Sequence, residues 1–236
     1  FIVHPSARPV ENAHLKAMIE SMRQKSLLKY YPIIVDRDYV VYDGQRRLLA
    51  ARELGLPVHY IMASNISMLM VAQAGSRSKG WAYADYLKHF CVMNKEPYLY
   101  LADYIKKFPY IGLTRAIIVL WGQGTYDDNQ SSYRAGDFSV RNPGMGVKFA
   151  KCIGGLEKNE FRKNGVFQRS FLMQMHNEKF DPDYMIDAIN QRPEMMRPFA
   201  DMESCFKCME NTYNYGKKNR LSFRKLTADE MFNRWG

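Results

Sequence analysis

Leu15, Met18, Ile19 and Met22 recur at the i, i+3, i+4, i+7 spacing of one buried helical face, after an extended start containing Pro5 and Pro9. The period then shortens. Beyond Pro32, the apolar runs Ile33-Ile34-Val35 and Tyr39-Val40-Val41-Tyr42 flank Asp36-Arg37-Asp38, which predicts two short strands around a tight turn. Gly44 opens a second helix through Leu48, Leu49, Ala50, Ala51 and Leu54, and Gly55 with Pro57 just beyond it is a stop signal. Val58 to Met62 completes the set as a third strand. Helix, strand, strand, helix, strand is the order of a compact α/β unit.

The polar stretch Gly75-Ser76-Arg77-Ser78-Lys79-Gly80 is expected to divide the chain into domains 1–80 and 81–236. From Trp81 onward the pattern is helical and aromatic up to about Tyr213, broken by loops expected at Gly122 to Gly136 and Asn142 to Gly146, with no internal repeat. The expected fold class is therefore α+β or α/β, a small sheet-bearing domain followed by a mainly α-helical region. Tyr98 to Phe108, a turn at Pro109 to Leu113, and Thr114 to Leu120 have a helix-turn-helix outline with Thr114 as the cap of the second helix. That helix offers only Thr114 and Arg115 to a base edge, and a buried helical hairpin is the preferred reading.

The chain has 236 residues, which suits one or two packed units, and its 47% hydrophobic content is enough for a real core. Its net charge of +10 would attract polyanions, DNA among them, although scattered surface lysines give the same total. The densest basic and aromatic stretch is Tyr213, Tyr215, Lys217, Lys218 and Arg220, continuing to Arg224 and Lys225, a pattern that can neutralise phosphates and stack on unpaired bases. A solvated basic loop is the equal alternative. Four sparse cysteines fit a reducing interior, and the Cys205-x-x-Cys208 spacing favours helix packing over a metal site, so neither zinc nor haem is expected. The five histidines have no metal-ligand spacing, and the Asp36/Asp38 and Asp127-Asp128 pairs suit turns and loops. The longest apolar run, Ile111 to Trp121, is interrupted by Thr114 and Arg115, so a cytoplasmic protein without a membrane partner is expected.

The junction between the Tyr39–Tyr42 strand and the next helix carries the most chemistry. Asp43-Gly44-Gln45-Arg46-Arg47 would place exposed N–H groups and two guanidinium groups at a helix start. Cations there oppose the helix dipole by a few tenths to about 1 kcal/mol each, unless an anion or a carboxylate compensates. Arginine forks suit phosphate oxygens, which makes a nucleotide or DNA-phosphate cradle one reading. The other is a surface turn whose arginines pair with Asp43 and Glu53; spacing alone leaves both open.

The segment Tyr42 to Ile61, YDGQRRLLAARELGLPVHYI, resembles the second signature of ParB/sulfiredoxin-like domains, G-E-R-R-x-x-A. Pro5 with Arg8 is similar to the family's opening Pro-x-x-Arg element, and Ser21 followed by Pro32-Ile33-Ile34-Val35 is similar to its first signature, the likeness covering roughly residues 1 to 80. The resemblance implies a mixed-sheet domain that binds CTP or ATP with Mg²⁺, with Gly44, Arg46 and Arg47 on phosphate, Arg8 assisting, and Asp43 and Gln45 completing the turn. It further implies a DNA-associated, partition- or regulator-like protein, with a homodimer as one arrangement. Family members with nuclease, NTPase or small-molecule kinase activity supply the enzymatic alternative, for which Asp43, Asp36 or Glu11 would have to act; no catalytic residue is assigned. A decayed, non-catalytic interaction module is the third reading.

The departures are specific. Gln45 stands where sulfiredoxin has its cysteine, which excludes thiol-dependent chemistry, and the resulting D-G-Q-x-R turn is similar to that of phage and mobile-element members. The spacing between Ser21 and Pro32 is about two residues longer than in the family. Its third signature is met only by Gln73-Ala-Gly-Ser-Arg77, without the acidic residue. Lys79-Gly-Trp81 followed by Tyr86-Leu87 is similar to phage-type relatives, and Arg77 and Lys79 are candidate nucleic-acid contacts.

Overall fold

The protein is described by a computed structural model covering residues 1–74, 80–122, 126–156 and 160–226, with the side chains of 126–129 outside the description. It consists of two compact units, Phe1–Met93 and Asn94–Gly236.

In the first unit, β1 (Ile2–Val3), β2 (Ile33–Val35), β3 (Val40–Asp43) and β4 (Tyr60–Met62) form a sheet of order β1-β3-β2-β4. β1 runs parallel to β3, β3 antiparallel to β2, and β2 parallel to β4, so the sheet is mixed. The expected hairpin forms. Asp36 closes it by accepting the Asp38 and Val40 N–H groups on Oδ1 at 3.0 and 2.9 Å, and Tyr39 takes up the left-handed φ of 58°. The extended start supplies the edge strand β1, which the apolar pattern alone does not mark.

Helix α1 (Asn12–Gln24) buries Ile19 and Met22 against Ala50 and Ala51 of α2 (Gln45–Leu54), while Leu15 and Met18 pack around them. Leu48 leaves that interface for the sheet, joining Ile33, Val35 and Val41. Alternation does the sorting on β2: Ile33 and Val35 point to the core and Ile34 is only half buried. Two further helices complete the unit, α3 (Met68–Ala74) and α4 (Tyr83–Val92). Met68, Ala72 and Trp81 form a cluster with Tyr86, Ala7 and Tyr42, which ties the segment after residue 80 to the sheet domain. The division therefore falls after Met93, thirteen residues beyond the expected boundary at 80 (93 against 80).

The second unit is helical: α5 (Glu96–Lys107), α6 (Leu113–Trp121), α7 (Tyr126–Ala135), α8 (Pro143–Gly154), α9 (Gly165–Gln174), α10 (Pro182–Gln191) and α11 (Met202–Tyr213), with 3₁₀ turns at Glu160–Lys163 and Pro193–Met195. Helix α6 packs between α5 and α8, and α11 against α9 and α10. Three expectations are corrected. The loop expected at Gly122 to Gly136 contains α7, in whose polar sequence Tyr133 is fully buried beside Tyr98 and Phe138, with ring centroids 5.3 and 5.9 Å away. The break expected at Asn142 to Gly146 is a helix start, because the Asn142 side chain caps the Met145 N–H at 3.1 Å and Pro143 occupies the first helical position. Gly146 then lies inside α8, where a Cβ would come within 2.6 Å of Leu120. Thr114 caps nothing, since Gly112 precedes a helix that already begins at Leu113.

The preferred hairpin reading of α5 and α6 fits their burial: Ala116, Ile117, Val119, Leu120 and Trp121 are all inside. Among the described residues no helix is long and apolar enough to cross a membrane. The core is rich in tyrosines whose rings are buried and whose hydroxyls donate to carbonyls: Tyr98 to Tyr133 at 2.6 Å and Tyr104 to Gly146 at 2.7 Å. Replacing Tyr98 with Phe keeps the ring and strands the Tyr133 carbonyl, and should lower unfolding stability by about 1–2 kcal/mol in urea denaturation.

Candidate phosphate-binding turn

Gly44 is where the turn is decided. Its φ of 87° lies in the left-handed region, and a Cβ there would stand 2.7 Å from Ile33 Cγ2, so both conformation and space require glycine. Helix α2 begins immediately after. The Leu48 N–H bonds back to the Gly44 carbonyl at 2.9 Å, which leaves the N–H groups of Gln45, Arg46 and Arg47 without an acceptor among the described residues. No side chain caps this helix and its first turn contains no acid.

The two arginines part company here. Arg47 turns back into the protein, donating to the Tyr31 carbonyl and to Asp43 Oδ2 at 2.7 Å each. Its guanidinium rests against Gly44, where an added Cβ would lie 3.0 Å from Nε. Half of the paired-arginine alternative is thus realised, with Asp43 and not Glu53 as the partner. Arg46 is exposed and has no hydrogen-bond partner among the described residues. Gln45 donates from Nε2 to the Arg8 carbonyl, which seats the half-buried Arg8 segment beside the turn by its backbone.

That neighbouring segment holds groups the sequence did not single out. His4 Nδ1 accepts the Ser6 N–H at 3.0 Å, and its ring lies 4.8 Å from that of Tyr42. Ser6 Oγ is buried without a hydrogen bond. Burial holds the His4 pKa below 6.5 against the opposing charge of Asp36, and burial followed by the charge of Asp36 raises that of Tyr42. Adjacency of His4 and Ser6 to the Pro5/Arg8 element was the signal available for them.

The acids offered for enzymatic chemistry have other work. Asp36 closes the hairpin, Asp43 binds Arg47, and Glu11 stands 3.5 Å from His14. Among the described residues no group of three or more His, Cys, Asp or Glu is placed to hold a metal ion. Cys205 is buried, its thiol pushed up to about 11 mainly by desolvation, and Cys208 is a half-buried free thiol.

Arg77 and Lys79 lie outside the described residues. In the second unit, Thr114 and Arg115 are half buried in the first turn of α6, and Arg115 donates to the Gly165 carbonyl at 3.1 Å. Tyr213 is removed as a base-stacking residue: it is buried against Phe180 and Phe223, and its hydroxyl accepts the Asp181 N–H at 2.9 Å. Lys217 is likewise engaged, its Nζ standing 3.5 Å from the Tyr184 ring centre and 3.7 Å from that of Tyr213, with a pKa lowered by desolvation. Tyr215, Lys218 and Arg220 remain on the surface, Tyr215 with Arg192 over its ring at 4.6 Å.

Replacing Gly44 with Ala should cost about 2–4 kcal/mol in chemical denaturation, combining left-handed strain with the Ile33 contact. His4 gives a pH test. Its folded pKa lies below the ordinary 6.5, so its contribution is complete above pH 6.5. That contribution is lost as pH falls below 6.5 towards the folded value, by at most about 1.4 kcal/mol per pH unit. His4→Gln should make the pH 8 to pH 5 stability loss shallower; parallel profiles for variant and wild type would refute this role.

No protein-family model, no curated protein and no solved structure matches the chain.

Proposed function

We propose that the first unit is a ParB/sulfiredoxin-like domain that binds a nucleotide phosphate at the start of α2, within a DNA-associated, partition- or regulator-like protein of phage or mobile-element type. The observation that carries this reading is the unfinished start of α2: unpaired N–H groups, no side-chain cap, no acid within the first turn, and the exposed Arg46 beside them. A phosphate oxygen accepting from those N–H groups would also meet the positive end of the helix dipole and the Arg46 fork. The resemblance of the D-G-Q-R-R turn and the net charge of +10 support the same reading.

The roles within the turn are divided. Arg46 is the phosphate ligand, and Arg47, held by Asp43 and Tyr31, keeps the glycine turn and the helix start in register. Gln45 anchors the Arg8 segment through its carbonyl. CTP or ATP, with Mg²⁺ carried on its phosphates, is the ligand class. Binding is favoured over nuclease or kinase chemistry because Asp36 is used to close the hairpin and Asp43 to hold Arg47.

Arg46→Ala should weaken CTP or ATP binding roughly ten- to a hundredfold by calorimetry, as expected for a hydrogen bond to a charged group. Arg47→Ala should instead lower stability by about 1–2 kcal/mol and impair binding only as the turn loosens. Unchanged nucleotide affinity in Arg46→Ala, or no binding of either nucleotide by the wild type, would remove the assignment in favour of an interaction module with a decayed site.

A further inference from the structure

The second unit contains three arginines whose placement has no counterpart among its acids. Arg115 lies in the first turn of α6, Arg162 in the 3₁₀ turn Glu160–Lys163, and Arg169 on α9. The structure brings these elements together. Arg115 donates one terminal nitrogen to the Gly165 carbonyl at 3.1 Å, and its Nε is buried with no hydrogen bond. Arg162 lays its guanidinium over the Tyr110 ring at 4.0 Å, and its Nε is also buried with no hydrogen bond. Gln168, 2% exposed, fixes this corner by donating to both the Tyr110 and the Arg162 carbonyls, at 2.9 and 2.7 Å.

Among the described residues no carboxylate forms an ion pair with any of the three. Burial first, and the charge of Arg169 second, pull the Arg115 pKa down to about 10. A desolvated Arg115 beside the like charge of Arg169, with the Nε atoms of Arg115 and Arg162 both buried and unbonded, is an expensive arrangement. An anion between them reverses the sign of both effects. The neighbouring start of α9 contributes little by itself, because Asn164 already accepts the Val166 and Phe167 N–H groups at 2.9 and 3.0 Å. Recognition would fall to the planar arginine forks, which suit tetrahedral oxyanions bidentately.

We propose that Arg115, Arg162 and Arg169 form a second anion site, independent of the turn at Gly44, that takes a phosphate or a terminal phosphoryl group. Tyr110 holds the plane of Arg162, and Gln168 holds Tyr110. A doubly charged phosphate should bind ahead of acetate or chloride.

The test uses the full chain in chloride buffer at constant ionic strength, titrated with inorganic phosphate, with a nucleoside monophosphate as a separate arm, and read by thermal shift and calorimetry. Phosphate should raise Tm saturably in the wild type and equally in Arg46→Ala, whereas Arg169→Gln should lose the response. Without phosphate, Arg169→Gln should melt at or above the wild type, since a like charge is gone; at saturating phosphate the order should reverse. With the nucleotide arm run in Arg46→Ala, so that the turn at Gly44 does not contribute, stronger binding than inorganic phosphate would identify a terminal phosphoryl group as the ligand, and equal or weaker binding would identify free phosphate. Arg162→Lys keeps the charge, removes the fork, and should weaken phosphate more than tenfold, which serves if Arg169→Gln fails to fold. Absence of a phosphate-specific shift in the wild type, its persistence in Arg169→Gln, or its disappearance in Arg46→Ala would each overturn the proposal, the last by assigning the phosphate to the turn at Gly44.

Discussion

The Arg47 guanidinium occupies the space a Gly44 side chain would need while it binds the Asp43 carboxylate and the Tyr31 carbonyl, and the architecture of the first unit turns on that arrangement. It joins the end of β3, the start of α2 and the chain entering β2 at one point. A cation in the first helical turn opposes the dipole, yet Asp43, just ahead of the helix, sits where a negative charge is favoured and offsets it. Glycine is required because the guanidinium and Ile33 leave no room for a Cβ. With the turn closed from inside by Arg47, the outer side of the helix start is left to Arg46 and its unpaired N–H groups.

Tyrosine plays the corresponding part in the second unit. The buried rings of Tyr98 and Tyr104 supply apolar area and their hydroxyls tie α5 to the Tyr133 and Gly146 carbonyls, while half-buried Tyr110 ties the α5–α6 turn to the Ala150 carbonyl. Near the end of the described chain, Tyr184 and Tyr213 offer ring faces to Lys217, while Asn214 clamps Leu221 through both backbone groups. The basic segment after α11 is therefore partly fastened to the helices, with Tyr213 and Lys217 engaged and Tyr215, Lys218, Arg220, Arg224 and Lys225 exposed.

The positive charge of the chain has consequently more than one use. Arg47 and Lys217 are held by internal groups, Arg115 and Arg162 are half buried with an unbonded Nε each, and Arg46, Lys218 and Arg220 face solvent. A net charge gives a long-range attraction to polyanions, but the residues that meet an anion are decided by which guanidiniums the fold leaves unsatisfied.

Periodicity in the sequence determined the helix over Leu15 to Met22, the hairpin around Asp36 to Asp38, the glycine turn and the helix after it, because each follows from neighbours a few residues apart. It did not determine β1 or α7: a two-residue strand has no period, and among the described side chains of α7 a single tyrosine, Tyr133, is buried. Nor did it separate Arg46 from Arg47, two adjacent residues of one type, or remove Tyr213 from the surface. Those outcomes depend on partners far along the chain, Tyr31 for Arg47 and Phe180 for Tyr213, and only tertiary packing brings them into contact.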